Sequence, residues 1–282
     1  MSAPLRLGWF TSARGPGSRA MYEAVADAIA AGTLDARFAF VFCNREPGED
    51  AVTDAFFERV RADGVPLVTL SSVRFRREAG GERSRPGAPL PAWRTAYDAA
   101  VEAALAPHPF DLGVLAGYML IFGADFVSRH ALLNLHPALP DGPAGTWREV
   151  IRHLIRSQAA ESGVMLHLAI PEVDMGPVVA YCRYALHGAG ADADLDAEWA
   201  RLGTDATTLD DDAIEASDLF SAIRRVGMVR ESPLLLATLA EFAAGRRRTD
   251  GARILDATGA PAETADLTAE VDALITGDAG RR

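Results

Sequence analysis

The first seventy residues alternate so regularly that few folds can hold them. Residues 5–10 (Leu-Arg-Leu-Gly-Trp-Phe) read as a strand, and 18–31 carry Met21, Val25, Ala28 and Ile29 at helical spacing. Residues 38–43 are continuously apolar, which suits a strand buried on both faces. A helix over 52–61, with Phe56, Phe57 and Val60, and a short strand over 66–70 follow. Strand, helix, strand, helix, strand in that order is the pattern of a parallel α/β sheet, because parallel neighbours need a crossover between them.

The rhythm then changes. Residues 74–91 hold Arg74, Arg76, Arg77, Arg83 and Arg85 among glycines and prolines, and read as an exposed insertion. The pattern resumes with a helix over 93–105, strands over 112–116 and 132–135, a helix over 146–157, and strands over 164–169 and 178–184. Thr146 and Glu149 have the spacing of a capping box at the start of the second of these helices. Beyond about 186 the chain is rich in Ala, Asp and Gly. It reads as a loop over 189–212, helices over 214–226 and 234–243, and a short amphipathic helix over 268–275. The expectation is an α/β domain over 1–185, with 74–91 inserted, and a small, mainly helical C-terminal extension over 186–282 that packs on it.

Composition narrows the partners. With 49% hydrophobic and 24% charged residues the chain is globular rather than disordered. A net charge of −11 weighs against nucleic acid as a partner. No apolar run approaches the ~20 residues of a membrane span, so the chain is expected in the cytoplasm, away from membranes. Cys43 and Cys182 sit in apolar runs without metal-ligand neighbours, and read as buried reduced thiols with no metal site.

Two groups of residues suggest chemistry. Gly15-Pro16-Gly17-Ser18-Arg19 lies between the first strand and its helix, where backbone N–H groups face an anion. A tight strand-to-helix turn accounts for the same glycines by itself. The dinucleotide fingerprint is incomplete: position 20 is Ala20, and the second strand runs on to Asn44 and Arg45 rather than to an acid. Phosphate monoester binding fits better. Asn134 and His136 lie two apart at a strand end, and so point to the same side. Asp174 follows in a turn before Gly176 and Pro177. A lone histidine in such a setting is more often a core residue. An amide donor, an imidazole and a carboxylate together are the parts needed for acyl transfer to an amine.

These residues resemble the folate-dependent formyltransferases, most closely the members that act on glycinamide ribonucleotide in purine biosynthesis. Leu115-Ala-Gly-Tyr-Met119 resembles the family's folate-site strand, and Leu133-Asn-Leu-His-Pro-Ala-Leu-Pro140 its Asn-x-His-Pro signature. Val173-Asp-Met-Gly-Pro177 is similar to its Leu-Asp-x-Gly-Pro signature, and His167 stands seven residues before the aspartate, as in the family. Gly17-Ser18-Arg19 resembles its phosphate loop, and Trp93-Arg94-Thr-Ala-Tyr-Asp98 its Ser-Arg-x-Ala-Tyr-Asp. The resemblance spans about residues 5–185. There are departures: Leu120 stands where the family has arginine, Arg19 where it has asparagine, the loop at 138–140 is one leucine short, and 74–91 is extra.

The resemblance implies a Rossmann-like, mostly parallel sheet with helices on both faces. It implies 10-formyltetrahydrofolate as co-substrate, a phosphorylated small-molecule amine as acceptor, and admits a homodimer. Asn134 and His136 would stabilise the oxyanion, and Asp174 would orient water, hold His136 in its charged form and shuttle the proton. The folate would lie on Leu115, Ala116, Gly117, Tyr118, Met119, Leu120, Ile121 and Val173. The acceptor would meet Gly17, Ser18, Arg19, Arg94, His167 and Glu172. Arg94 also reads as a solvated helix arginine, and the inserted arginines as solvated surface rather than a lid over the phosphate. The rival functions are transfer to another amine such as an amino sugar nucleotide, hydrolysis of the formyl folate, and binding without catalysis.

Overall fold

The computed structural model describes residues 3–83, 89–188, 190–191, 193–203 and 208–279. In chain order the elements are β1 (Leu5–Thr11), α1 (Pro16–Ala30), β2 (Ala36–Cys43), α2 (Ala51–Ala62), β3 (Leu67–Thr69), α3 (Ser72–Glu78), α4 (Ala92–Leu105), β4 (Leu112–Leu115), α5 (Ala124–Arg129), β5 (Leu132–His136), α6 (Trp147–Arg156), β6 (Glu161–Leu168) and β7 (Val178–Ala185). The remainder is α7 (Ala193–Leu202), α8 (Asp211–Glu215), α9 (Asp218–Ala243), β8 (Arg247–Asp250), β9 (Arg253–Asp256), β10 (Ala265–Asp266) and α10 (Thr268–Ala279).

The chain forms two compact units, each built from separated stretches. The first holds Met1–Asn134, Leu168–Pro177 and Ala240–Ala262; the second holds Leu135–His167, Val178–Leu239 and Glu263–Arg282. One cut at 185 therefore does not describe the organisation. In the first unit the strand order is β5-β4-β1-β2-β3, and every pairing is parallel. The chain runs outward from β1 to β3, then returns to the other side of β1 for β4. That reversal is the switch point at which open α/β sheets bind ligands, outside the carboxyl ends of the strands. In the second unit β7 pairs antiparallel with β6 and parallel with β10.

The core of the first unit is aromatic. Phe10 on β1 meets Phe40, Phe42, Phe110, Tyr118, Phe122 and Phe126, with ring centroids between 5.3 and 6.2 Å apart. Each such ring, fully buried, contributes roughly 1.5–3 kcal/mol. Gly8 makes the arrangement possible: a Cβ there would lie 2.7 Å from the Phe40 ring and 2.9 Å from Phe110. The β1–β2 register shifts beside it, between Leu7 and Gly8.

The structure corrects several expectations. Residues 72–78 are helical, overlapping the stretch from 74 that reads as an exposed, irregular insertion: the Ser71 hydroxyl accepts from the Arg74 N–H at 3.1 Å. Phe75 then packs edge-on against Tyr97 at 5.3 Å, anchoring the helix to the core. Arg85 and Pro86 fall among residues 84–88, outside the described residues. Part of the expected loop at 189–212 is α7, in which Leu195 is fully buried. One helix, α9, replaces the two expected, with Pro233 inside it. The proline has no N–H to donate to the Val229 carbonyl one turn back, and Val229 lies on the exposed side of the helix, 50% exposed. The hairpin β8–β9 was not foreseen, and it makes the C-terminal region less helical than expected. The capping box at Thr146 and Glu149 is present.

Candidate active site

At the switch point the ends of β1 and β4 are tied together. The Ser12 N–H donates to the Gly117 carbonyl at 3.2 Å, and the Ser12 hydroxyl accepts from the Met119 N–H at 3.0 Å. Gly117 has φ +66, and a Cβ there would sit 2.9 Å from the Ser18 Cβ. Only glycine allows both the left-handed turn and the close approach. The start of α1 is therefore held against the loop that follows β4.

That start is open to an anion. Gly15 is the N-cap and makes no side-chain capping bond, while the Ser18 hydroxyl donates back to the Gly15 carbonyl at 2.9 Å. Arg19 is exposed and pairs with Glu23 at 2.8 Å. The uncapped N–H groups of a helix N-terminus carry partial positive charge and attract phosphate or carboxylate.

The loop over 117–123 turns its side chains alternately in and out. Tyr118 and Phe122 are buried and stacked at 4.7 Å, and Phe122 continues onto Phe126 at 4.0 Å. Met119 and Ile121 point outward, 70% and 46% exposed. Leu115 and Leu120 are half-buried and pack on the aromatic core, and Ala116 is buried. Two side chains of α4 hold the end of the loop. Arg94 donates from Nη2 to the Ile121 carbonyl, and the Asp98 Oδ2 accepts from the Gly123 N–H at 2.7 Å. Burial raises the Asp98 carboxyl above its ordinary value, opposed by the Gly123 N–H and Arg94.

Asn134 lies beside this loop, because it pairs with Leu115 across β4 and β5. Its Nδ2 donates to the Asp174 Oδ1 at 3.3 Å. Asp174 has φ 58, a left-handed conformation that Asp tolerates better than most side chains. The segment carrying it is closed at its base by the Leu168 N–H to the Pro177 carbonyl at 3.0 Å, and joined to β5 by the Ala169 N–H to the Leu132 carbonyl at 2.8 Å. Val173 and Met175 on the same segment are 52% and 72% exposed, and Glu172 is exposed.

His136, two residues beyond Asn134 on β5, is 4% exposed. Its Nε2 faces the Pro143 carbonyl at 3.0 Å. A carbonyl only accepts, so Nε2 carries a proton and Nδ1 is left for chemistry. The neutral ring accepts at Nδ1; the charged ring donates there.

The expected residues thus divide. Asn134 and Asp174 are in hydrogen-bond contact, Leu115 is in register with Asn134, and Gly17 and Ser18 stand at the α1 start against Gly117. His167 is buried within β6, 2% exposed, opposite Val178 at a register shift. Arg94 is 1% exposed, a setting different from an open phosphate contact. Neither Ser12 nor Asp98 is given a role by the sequence. Asp98 has two signals, its place in the Trp93–Asp98 motif and its i, i+4 spacing from Arg94 on a helix; Ser12 has none. No helix among the described residues is long and apolar enough to cross a membrane.

A parallel sheet with a switch point, and an amide at a strand end hydrogen-bonded to a carboxylate on a neighbouring segment, is the frame of an α/β enzyme with groups suited to acyl transfer. The family described as formyl transferase matches residues 15–187, and the chain belongs to it. It is a folate-dependent formyltransferase, of a family whose co-substrate is 10-formyltetrahydrofolate. The chain is 27% identical over 184 residues to phosphoribosylglycinamide formyltransferase of Escherichia coli strain K12, spanning 64% of this chain and 75% of that protein. Its fold is like that of phosphoribosylglycinamide formyltransferase from Coxiella burnetii, with a TM-score of 0.64 at 20% identity, covering 93% and 99% of the two chains. It is also like that of formyltetrahydrofolate deformylase from Burkholderia mallei, with a TM-score of 0.59 at 14% identity over 90% and 70%.

Proposed function

We propose that this enzyme transfers the formyl group of 10-formyltetrahydrofolate to the primary amine of glycinamide ribonucleotide. The observation that carries the chemistry is the 3.3 Å bond between Asn134 and Asp174 at the end of β5, with His136 two residues on. The relatives named for this acceptor, and the open N-terminus of α1, support the phosphorylated amine.

In this reading the acceptor nitrogen attacks the formyl carbon, a C–N bond forms, and the carbonyl oxygen takes the charge. The Asn134 amide and the charged ring of His136, through Nδ1, donate to that oxygen. Asp174 accepts the proton released by the attacking nitrogen and returns it, directly or through water, to the folate nitrogen as the old C–N bond breaks. Asn134 holds the Asp174 carboxylate in place for that transfer. The exposed Met119, Ile121, Val173 and Met175 offer apolar contact to a flat ring, and the loop backbone offers donors and acceptors to its edge. The acceptor phosphate lies at Gly17, Ser18 and Arg19. We place the enzyme in the cytoplasm, where its two cysteines, free and buried, stay reduced.

The test is turnover of 10-formyltetrahydrofolate followed spectroscopically against glycinamide ribonucleotide, its unphosphorylated riboside and an amino sugar nucleotide. The reading expects the ribonucleotide to be used with kcat/KM at least ~10-fold above the riboside, the size of one charge-assisted contact. Preference for the amino sugar nucleotide, or formate release independent of any amine, would contradict it.

A further inference from the structure

Arg94 and Asp98 are one turn apart on α4, and each takes hold of the same short stretch of backbone with opposite polarity. The Arg94 Nη2 donates to the Ile121 carbonyl, and the Asp98 Oδ2 accepts from the Gly123 N–H at 2.7 Å. The two side chains are 3.5 Å apart, both more than nine-tenths buried. The guanidinium has little else. Among the described residues its Nε and Nη1 are buried without hydrogen-bond partners, and its remaining neighbours are the faces of Trp93 at 5.2 Å and Tyr97 at 5.6 Å. A buried cation held by one carboxylate, one carbonyl and two rings depends strongly on each. Replacing the arginine by packing alone would spare that desolvation, so its presence asks for a reason in what it grips.

We propose that Arg94 and Asp98 are positioning residues that fix the 121–123 backbone, and through it the outward-facing Met119 and Ile121, in the conformation that receives the folate ring. The inference rests on the folate reading of this loop. At its other end the loop is held by Ser12, so the outward residues are suspended between two anchors. Asp98 touches no ligand in this account, and a carboxylate would repel a phosphate. The loop residues change little in hydrophobic character if the grip is lost; they change position, and positional freedom lowers affinity because ordering must then occur on binding. The acceptor at the α1 start does not depend on the grip.

Three variants test this. Arg94→Met keeps the apolar burial and removes the donor; Asp98→Asn removes the charge that balances Arg94; Arg94→Lys keeps a charge and one donor. Each is checked for folding by circular dichroism and thermal melting. Binding of tetrahydrofolate, and hydrogen exchange of the peptide containing 117–123 in the ligand-free protein, are then measured. The account expects exchange in that peptide to accelerate at least ~10-fold in Arg94→Met and Asp98→Asn, with partial recovery in Arg94→Lys. It expects folate Kd to rise by about 10-fold, which is ~1.4 kcal/mol, and acceptor KM to move less than threefold. Unchanged exchange and unchanged folate Kd in both folded variants would overturn the positioning role. So would a rise confined to acceptor KM, which would return Arg94 to the phosphate. A wild-type protein that fails to bind tetrahydrofolate would instead overturn the folate reading, and the exchange data would still report whether the grip exists. If Arg94→Met does not fold, Asp98→Asn and Arg94→Lys carry the test.

Discussion

Two segments reach the neighbourhood of Asn134, and they are built in opposite ways. The 117–123 loop is fastened along its whole length: by Ser12 at one end, by Arg94 and Asp98 at the other, and by the Tyr118–Phe122–Phe126 stack beneath. The 169–177 segment is closed at its base, and along its span the Met175 N–H donates to the Glu172 carbonyl at 3.2 Å and the Asn134 Nδ2 to the Asp174 Oδ1 at 3.3 Å. One segment is a shaped surface whose residues need only stay still. In the proposed reaction the other presents the carboxylate that carries the proton, on a backbone turned left-handed at the residue itself. Binding and chemistry in that proposed reaction are thus divided between the two segments, and the two should fail separately.

The largest effects should come from the chemical side. Loss of an oxyanion donor costs about 10²–10³ in kcat, so His136→Ala should lower kcat at least ~100-fold with little change in folate Kd. Asp174→Asn should be as damaging, since Asn also accepts the left-handed backbone and only the charge is lost. The double variant should be hardly worse, as expected for groups that act together. Stopped-flow rates that multiply instead would show that the two work independently.

On the binding side, Gly117→Ala introduces both a Cβ 2.9 Å from Ser18 and a penalised φ of +66. The backbone cost alone is roughly 1–2 kcal/mol. Isothermal titration should show folate affinity falling about 10-fold, since 1.4 kcal/mol is one decade. An alanine variant with native affinity would mean the loop is not held as described.

A smaller effect separates strain from chemistry. Glycine at position 174 would relieve the left-handed conformation while removing the carboxylate. Asp174→Gly should therefore gain up to ~1 kcal/mol in urea unfolding, offset in part by backbone entropy, while turnover is lost. A clear loss of stability would indicate that the carboxylate contact contributes more than the turn costs.

The smallest effect is a pH dependence on the loop side. Burial raises the folded-state carboxyl of Asp98 above its ordinary value of 3.8. Its contribution to stability is full below that ordinary value and is lost as pH rises through the raised one. Asp98→Asn should accordingly show a smaller decline in Tm than the wild type as pH is raised through that window. Asp211, held below its ordinary range chiefly by its hydrogen bond to Arg156, has the opposite sign: its contribution is present above that range and lost in acid. Parallel curves for Asp98→Asn and wild type would remove Asp98 from the loop's electrostatics.

The same division explains what could be read in the sequence. Elements with strong periodicity, from β1 through β7, were placed within a few residues, because apolar spacing alone determines which face is buried. The missed elements lack that signal. The helix α5 has six residues, too few for a pattern. Three of the seven residues of α3 are arginines, and its one apolar contact with the aromatic core, Phe75, gives no periodic pattern. In α9 the apolar pattern is read as two stretches, 214–226 and 234–243, whereas the helix runs through Pro233 between them. At the proposed site, Asn134, His136 and Asp174 are singled out by their spacing and by a resemblance in their motifs, and the structure puts Asn134 and Asp174 in hydrogen-bond contact. Ser12 and Asp98 have no assigned role, because they act on backbone 107 and 25 residues away, and local pattern does not say which distant backbone a side chain holds.

The most direct measurement takes folate Kd and single-turnover formyl transfer in the same Asp174→Asn protein. The account predicts a Kd within threefold of wild type and a transfer rate at least ~100-fold lower, the scale of a lost proton-transfer group. A rate near that of wild type, or a loss of turnover fully explained by weakened folate binding, would contradict the claim that this chain binds on one segment and reacts on the other.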